Sequence, residues 1–325
     1  MHTLSLKEKM RSPRFSIVIP SYNRREYVGL AIDSVLSQTF ADFEVVVLDD
    51  GSTDGAIEVI KSYGQRIKLI SQENHGAEAA RSRGVAAACG EYVVLLDDDD
   101  MLFPTTLATY DRVIRILKEP PVILGAVVPI YDRAALPPSD GDGTIEYLHF
   151  ADYLSRDVPV SLTCSQLVVK RSVALGTGAF RPERTAFPFD IPDMMLRLGT
   201  SGPFIILRRP STVAYRQHSS NIVKAVDSMI ESSSCLARLE RGGAYPGGAA
   251  RRFDRYACIG TMALFWVSKA VGRRRYRTAL RLLIDSAPMI LAGLIKRSWR
   301  RFHTPTPLCR LQPVILEYTK RERAQ

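Results

Sequence analysis

The chain has 325 residues, of which 46% are hydrophobic and 24% charged, values that exclude a disordered chain and argue against a polytopic membrane protein. Its net charge of +10 is unevenly placed, because residues 269–325 hold 14 Lys or Arg against 3 Asp or Glu, a net of +11 that leaves residues 1–268 at −1. A near-neutral body with one basic end predicts a tethering surface on an anionic membrane and argues against nucleic-acid binding along the whole surface.

The N-terminal extension, residues 1–14, is polar and lacks the apolar centre of a signal peptide. The five cysteines are odd in number, scattered, and without the C-x-x-C spacing of zinc or redox sites. Both features predict a chain that stays in the reducing cytoplasm.

Strands and helices alternate in the segment that follows. Short β-branched runs predict the strands, and apolar residues on one face predict the helices. The strands are expected at Phe15–Pro20, Phe43–Leu48, Ile67–Ile70 and Tyr92–Leu96, and the helices at Glu26–Gln38, Thr53–Tyr63 and Ala77–Ala88. This alternation predicts right-handed βαβ units and an α/β fold with a mostly parallel, Rossmann-like sheet flanked by helices.

Polar clusters follow the predicted strands at the ends where such sheets bind ligands. They are Ser21-Tyr22-Asn23-Arg24, Asp49-Asp50-Gly51-Ser52, Asn74-His75-Gly76 and Asp97-Asp98-Asp99-Asp100. We expect all four to meet in one crevice.

The pattern is less regular beyond Met101. Strands are expected at Val122–Pro129, Gln166–Lys170, Pro203–Leu207 and Thr212–Tyr215, helices at Pro104–Lys118 and Asp193–Leu198, and a mobile loop at Arg133–Gly143. We interpret residues 15–222 as one catalytic domain, in which 15–103 bind the donor and 104–222 hold the acceptor.

Residues 223–325 read as a helical, basic C-terminal region with a Gly-rich linker at 241–248. Its two apolar stretches, Tyr256–Val271 and Leu280–Ile295, each fall short of about 20 uninterrupted apolar residues, so no spanning helix is predicted. Apolar stripes beside Arg and Lys clusters fit helices that lie in a membrane interface. The alternative is a helical subdomain packed on the core.

The aspartate run predicts a metal site. Neighbouring carboxylates raise one another's pKa and destabilise the fold, and a cation relieves that repulsion. Two aspartates one residue apart at a strand end can share a Mg²⁺ or Mn²⁺ ion with a diphosphate. The alternative, a solvated acidic loop, fits poorly with the buried elements on both sides of the run.

The Asp49-Asp50 cluster predicts either a helix entry or a nucleoside pocket, and the two are compatible. Ser52 or Thr53 can cap the helix while Asp50 accepts a hydrogen bond from a base, on which Tyr22 can stack.

These ordered motifs, SIVIPSYNRREYVGLAIDSVLSQTFADFEVVVLDDGSTD, then NHG, then GEYVVLLDDDD, resemble those of the family 2 glycosyltransferases of the GT-A fold. The resemblance is strong over residues 15–104 and thinner to Asn221. It implies inverting transfer from a nucleotide-activated sugar, with a UDP-sugar favoured. The donor-binding residues it implies are Pro20, Tyr22, Asn23, Asp49, Asp50, Arg81, Asp97 and Asp98.

The same resemblance implies that Asp97 and Asp99 are the metal-binding D-x-D pair. Members of this family often carry a Tyr-Arg-x-His pattern, matched here by Tyr215-Arg216-Gln217-His218, so His218 is expected to complete the metal shell or to contact diphosphate.

Inversion needs a general base for the acceptor hydroxyl. In the family this is an acidic residue that opens a helix, six residues before an arginine equivalent to Arg197, and here that position is Ile191. Asp190 and, less favoured, Asp193 are the remaining candidates, and Asp193 is equally interpretable as a helix N-cap.

Three functions follow as hypotheses. The first is transfer of a single sugar to a lipid-linked or polysaccharide acceptor at the cytoplasmic face of the inner membrane, in cell-envelope synthesis; the Q-x-x-R-W motif of processive synthases is absent from the sequence. The second is a sugar nucleotidyltransferase, although PSYNRREY is no Gly-rich phosphate loop. The third is a donor-binding scaffold without efficient transfer, motivated by Ile191.

Overall fold

The computed structural model describes residues 12–131, 136–140, 142–158, 160, 162–180, 191–218, 226–300 and 306–312. The N-terminal half builds a parallel sheet from four strands in the order β4-β1-β2-β3. They are β1 (Phe15–Ser21), β2 (Phe43–Asp49), β3 (Lys68–Ser71) and β4 (Tyr92–Leu95). Strands β1, β2 and β4 are apolar and almost fully buried because helices cover both faces.

Five strands extend this sheet on the β4 side, and a sixth pairs at its margin. They are β5 (Met101–Leu102), β6 (Val122–Tyr131), β7 (Ile145–Phe150), β8 (Leu167–Lys170), β9 (Phe204–Gln217) and β10 (Cys309–Leu311). The order continues as β4-β8-β6-β9-β7-β10, and β5 pairs with β9. Strand β8 is antiparallel to β4 and β6, whereas β6 and β9 are parallel, so the second half of the sheet is mixed.

Within the described ranges, six α-helices lie between β1 and β9, and three lie between β9 and β10. They are α1 (Val28–Leu36), α2 (Ala56–Lys61), α3 (Ala77–Ala87), α4 (Thr106–Ile116), α5 (Arg171–Gly176), α6 (Ile191–Arg197), α7 (Val226–Arg241), α8 (Arg252–Gly272) and α9 (Tyr276–Arg300). Two apolar clusters fill the two faces of the sheet, one beneath α1 and α4 and the other beneath α3, α6 and part of α7–α9.

The predicted α/β fold with its mostly parallel sheet is confirmed. The two strands expected at Pro203–Leu207 and Thr212–Tyr215 are one strand, β9, which continues through an irregular register opposite Gly125 and Ala126. Four elements were not predicted: β5, β7, α5 and β10. Strand β7 reads as mixed polar and apolar, and β10 has three residues, so their local patterns are too weak to stand out.

The C-terminal helices pack on the central sheet and on one another. Leu236, Ile259 and Met289 belong to the same buried cluster as Met194 and Leu196 of α6. Strand β10 then returns to pair with β7. The inner side of α7–α9 therefore fits the alternative given above, a helical subdomain packed on the core. One helix segment, Tyr276–Trp299, is long and apolar enough to cross a membrane by length and composition alone.

Candidate functional site

The loops that follow β1 and β2 are joined by hydrogen bonds. Asn23 N donates to Ser52 Oγ (3.0 Å), and Thr53 N donates to Asn23 Oδ1 (2.7 Å). Asn23 adopts φ of 53°, in the left-handed region where asparagine is among the most tolerated residues. Tyr22, beside it, is 46% exposed and so presents an aromatic ring to solvent.

Asp50 fixes the loop that follows β3. Its carboxylate accepts hydrogen bonds from His75 N (2.9 Å), Gly76 N (2.8 Å) and Gln72 Nε2 (2.6 Å). The chains approach so closely that a Cβ at Gly51, where φ is +78°, would lie 3.0 Å from Asn74 N. The second and third polar clusters are therefore one unit.

Asp49 differs from Asp50 although both are 2% exposed. Its Oδ2 is 3.4 Å from Ser52 N, and its Oδ1 is buried and has no hydrogen-bond partner among the described residues. A buried acceptor of this kind is unfavourable unless a donor reaches it.

The four consecutive aspartates after β4 have four different partners. Asp97 accepts a hydrogen bond from Arg81 of α3 (2.8 Å), and Asp98 accepts one from Tyr22 N (3.3 Å). Asp99 is 2.8 Å from His218 Nε2. Asp100 is 1% exposed and accepts from Arg216 N (2.8 Å) and the Ser165 hydroxyl. All four polar clusters thus meet in one place, and Asp100 has a structural role.

Burial is the main reason that carboxyl pKa values in this run are raised. Burial, then the charge of Asp99, raises the pKa of Asp98 well above its ordinary value. For Asp99, burial and the charge of Asp97 raise the pKa, and the hydrogen bond with His218 opposes the rise. The run therefore holds more negative charge than this environment favours.

Strand β9 brings two further side chains to the aspartates, as the Tyr-Arg-x-His pattern implied. Arg216 Nε donates to the backbone oxygen of Asp99 (2.8 Å), and its guanidinium lies 5.3 Å from the centre of the Tyr27 ring. The His218 ring stacks on Tyr27 at 5.6 Å and 16°.

Sequence reasoning missed Tyr27 and Arg24. Arg24 Nε lies 3.9 Å from a carboxylate oxygen of both Asp98 and Asp99. Its place in the Ser21-Tyr22-Asn23-Arg24 cluster was a signal for Arg24. Tyr27 gave none, because its role depends on a strand almost 200 residues later.

The donor set fits a divalent cation in its chemistry. Carboxylate oxygens and an imidazole suit Mg²⁺ or Mn²⁺, and the raised pKa values show charge that a cation would compensate. Among the described residues, however, no group of three or more His, Cys, Asp or Glu side chains is already arranged around one point. Arg81 and His218 instead pair with Asp97 and Asp99.

The two candidates for the general base lie at α6. Asp190 lies outside the described residues. Asp193 lies in the first turn of α6, which begins at Ile191, so it is not the N-cap. It is 2% exposed, and its carboxylate accepts from Arg197 Nε (2.8 Å) and Tyr245 Oη (2.8 Å). These contacts give Asp193 a structural role, and its role as base stays a prediction.

Comparison with known proteins decides what kind of site this is. Residues 16–145, which contain all four polar clusters, match the family described as "Glycosyl transferase family 2". This segment is a family 2 glycosyltransferase domain. The match spans β1 to β4 and reaches the start of β7.

Curated relatives share this domain. The chain is 36% identical over 99 residues to "Uncharacterized glycosyltransferase YibD" of Escherichia coli, covering 30% of this chain and 29% of that protein. It is 44% identical over 97 residues to "Chondroitin synthase" of Pasteurella multocida, covering 29% of this chain and 10% of that protein. The chain thus spans about a third or less of these relatives' own length.

The fold extends further than the sequence likeness. S. aureus TarS 1-349, solved in complex with UDP-GlcNAc, superposes with a TM-score of 0.57 at 16% identity, covering 89% of this chain and 92% of that one. A longer TarS structure gives 0.56 at 19% identity, covering 77% and 42%. The glycosyltransferase domain therefore has a GT-A fold.

Proposed function

We propose that this chain transfers a single sugar, with inversion, from a nucleoside diphosphate sugar to a hydroxyl of a lipid-linked or saccharide acceptor. The observation that carries the proposal is the joining of four polar clusters, each after a different strand, by hydrogen bonds at one edge of a family 2 domain. Such an edge is where α/β sheets bind ligands.

The donor half is proposed to bind the nucleotide through an exposed aromatic ring and a carboxylate oxygen that accepts no hydrogen bond among the described residues. Tyr22 exposes a ring for base stacking, and Asp49 Oδ1 can accept from a base N–H. Asp50 already accepts three hydrogen bonds, so it shapes the pocket. Arg81 lies close enough to Asp97 to reach a diphosphate there. A UDP-sugar is favoured, in line with the UDP-GlcNAc bound by TarS.

Asp97, Asp99 and His218 are proposed to hold Mg²⁺ or Mn²⁺, which supplies charge stabilisation for the departing diphosphate. For the ion to bind, Arg81 and Arg24 must release the carboxylates, and a donor diphosphate offers both cations new partners. Asp190 is the favoured general base, ahead of Asp193.

A thermal-shift screen of UDP- and GDP-sugars with and without Mn²⁺ tests the donor and the metal together, since a ligand that binds only the folded state raises the melting temperature. We expect one nucleotide class to stabilise the wild type in Mn²⁺, and Asp99→Asn to abolish the metal-dependent part. Asp227→Asn, at an exposed pair with Arg275, is the matched control. Unchanged metal dependence in Asp99→Asn would refute the metal assignment.

One observation favours a second candidate, a donor-binding scaffold without efficient transfer. Ile191 stands where the base is expected, and Asp193 is held by Arg197 and Tyr245. The two candidates differ in turnover. A donor that stabilises the protein but is neither transferred nor hydrolysed would favour the scaffold.

The place of action is proposed to be the cytoplasmic face of the inner membrane. The support is the basic C-terminal region, whose net charge of +11 over residues 269–325 suits an anionic surface. Saccharide acceptors carried on lipids would then be within reach.

A further inference from the structure

Helix α9 exposes an apolar face along almost its whole length. The positions are spaced by four or seven residues and so lie on one side of the helix. The face, called here the outer face of α9, consists of Leu280, Ile284, Leu291, Ile295 and Trp299, which are 50–67% exposed. From first to last it measures about 29 Å. An apolar surface of this extent is unusual on a soluble protein without a partner.

Basic residues border both ends of the outer face. Arg273, Arg274 and Arg277 are exposed at its N-terminal end, and Arg297 is exposed at the other. Between 269 and 300 the sequence holds one acid, Asp285. A partner with an apolar interior and an anionic surface matches this pattern, and a bilayer that contains anionic lipids has both.

The opposite side of α9 is fixed to the protein. A Cβ at Gly260 of α8 would lie 1.8 Å from Met289 O, so the two helices are in backbone contact. Near its C-terminal end, Lys296 Nζ donates to Leu154 O (2.8 Å) and Asp254 Oδ1 (2.7 Å). Arg241 donates to Asp285 O near its middle.

The chain after α9 returns to the same sheet. Thr306 N donates to Asp157 Oδ2 (2.8 Å), and β10 pairs with β7. A helix that crossed the bilayer would place these residues beyond about 30 Å of hydrocarbon, away from their partners. The pairing of β10 is therefore incompatible with a spanning α9.

We propose that the outer face of α9 lies flat in the interface of an anionic membrane, with α8 and the catalytic sheet behind it on the cytoplasmic side. The proposal refines the membrane location given above and is independent of transfer activity. It assigns a surface, an orientation and a lipid class to a region for which the sequence predicted only a basic, interface-type helical pattern.

Vesicle partitioning of the full chain tests the surface. Ile284→Glu with Leu291→Glu should weaken binding to phosphatidylcholine vesicles containing phosphatidylglycerol by at least about tenfold, because two charges enter the apolar layer. Ile116→Glu, at an exposed apolar position on α4, is the matched control and should bind like the wild type. Both variants should keep the wild-type melting temperature. Equal binding by the double variant and the control would overturn the proposal.

Depth measurement tests the orientation. The chain has two tryptophans, so Trp266→Phe leaves Trp299 as the sole probe, and adding Leu291→Trp with Trp299→Phe moves the probe eight residues. Quenching by brominated lipids should give both probes the same shallow depth. A spanning helix would separate them by about 12 Å, and that result would refute the flat orientation.

Two further outcomes distinguish the membrane proposal from dimerisation and from the transferase proposal. If the outer face joins two copies of the chain, the double variant will turn a dimer into a monomer and leave vesicle binding at the control level, which overturns the membrane proposal. If no nucleotide sugar stabilises the wild type while the double variant still loses vesicle binding, the transferase proposal fails and the membrane face stands.

Discussion

Adjacent identical residues at the donor edge have different roles, and burial alone does not distinguish them. Asp49 and Asp50 are equally buried, yet Asp50 accepts three hydrogen bonds from the Gln72–Gly76 segment, whereas Asp49 keeps one oxygen without a partner. The difference arises because the Asp50 carboxylate reaches the loop that follows β3, whereas Asp49 contacts Gln72 only through its backbone oxygen.

Substitution of these two aspartates should therefore affect different properties. Asp50→Asn should lower the free energy of unfolding by about 1–3 kcal/mol, because an amide nitrogen replaces an oxygen that accepts a partly buried backbone N–H. Asp49→Asn should change stability little but reduce the stabilisation by donor in the thermal-shift assay. Equal loss of stability in both variants would contradict this assignment.

Substitution of Asp193 distinguishes a structural role of this residue from a catalytic one. Asp193→Asn weakens a buried ion pair with Arg197, so we expect the free energy of unfolding, measured with denaturant, to fall by about 3 kcal/mol. Tyr245→Phe, which removes one hydrogen bond to the same carboxylate, should cost about 1 kcal/mol. A large loss of turnover in Asp193→Asn with unchanged stability would instead make Asp193 the base.

At the scale of elements, the α8–α9 crossing depends on a residue without a side chain. Gly260→Ala places a methyl group against the backbone of Met289, which must move, so we expect a loss of at least about 2 kcal/mol in thermal or denaturant unfolding. Gly272→Ala, at the end of α8 with open space around it, is the matched control and should be neutral or slightly stabilising. Equal effects would disprove the close crossing.

The segment before α8 is joined to the loop after β7 by an ion pair that should respond to acid. Burial opposes the shift, but hydrogen bonds from Arg251 and Ser155 hold the pKa of the Asp152 carboxyl below its ordinary value. The lowered pKa means that the stabilisation is full above the ordinary value near pH 4 and is lost as the pH falls through the lower, folded value.

Asp152→Asn should accordingly lower the free energy of unfolding by about 1 kcal/mol at pH 7, since the pair is partly open to solvent. The difference in free energy of unfolding from the wild type should shrink below pH 4. Urea unfolding across this pH range measures it. Asp227→Asn, at a fully surface pair with Arg275, should change stability by a few tenths of a kcal/mol at any pH. A pH-independent cost at Asp152 would contradict the linkage.

At the scale of the molecule, the C-terminal helices and the catalytic sheet share one core. Removal of the chain after Gly242 would take Ile259 and Met289 out of the buried cluster that also contains Met194 and Leu196 of α6, and it would delete β10. We expect this truncation to aggregate or to lose its cooperative thermal transition, whereas the full chain unfolds in a single calorimetric transition. A soluble truncation with the wild-type melting temperature would show that the helices are an independent appendage.

Local pattern was enough for the donor half. The strands β1, β2 and β4 are mainly apolar runs, and the polar clusters follow their strands closely in sequence. Asp50 and the aspartate run could therefore be placed on one edge in advance, whereas Arg81 was implied by the family resemblance. The acceptor half has shorter, mixed strands, and its strand order depends on pairings between distant segments. The base at α6 could not be assigned, since Ile191 departs from the family pattern.

By itself, the sequence determined the α/β class, the edge where ligands bind and the basic end of the chain, because each depends on residue order within one or two elements. Only the tertiary structure decided that His218 lies beside Asp99, that the Asp193 carboxylate accepts hydrogen bonds from Arg197 and Tyr245, and which side of α9 is exposed to solvent. These depend on contacts between segments far apart in the chain, for which local periodicity and charge carry no record.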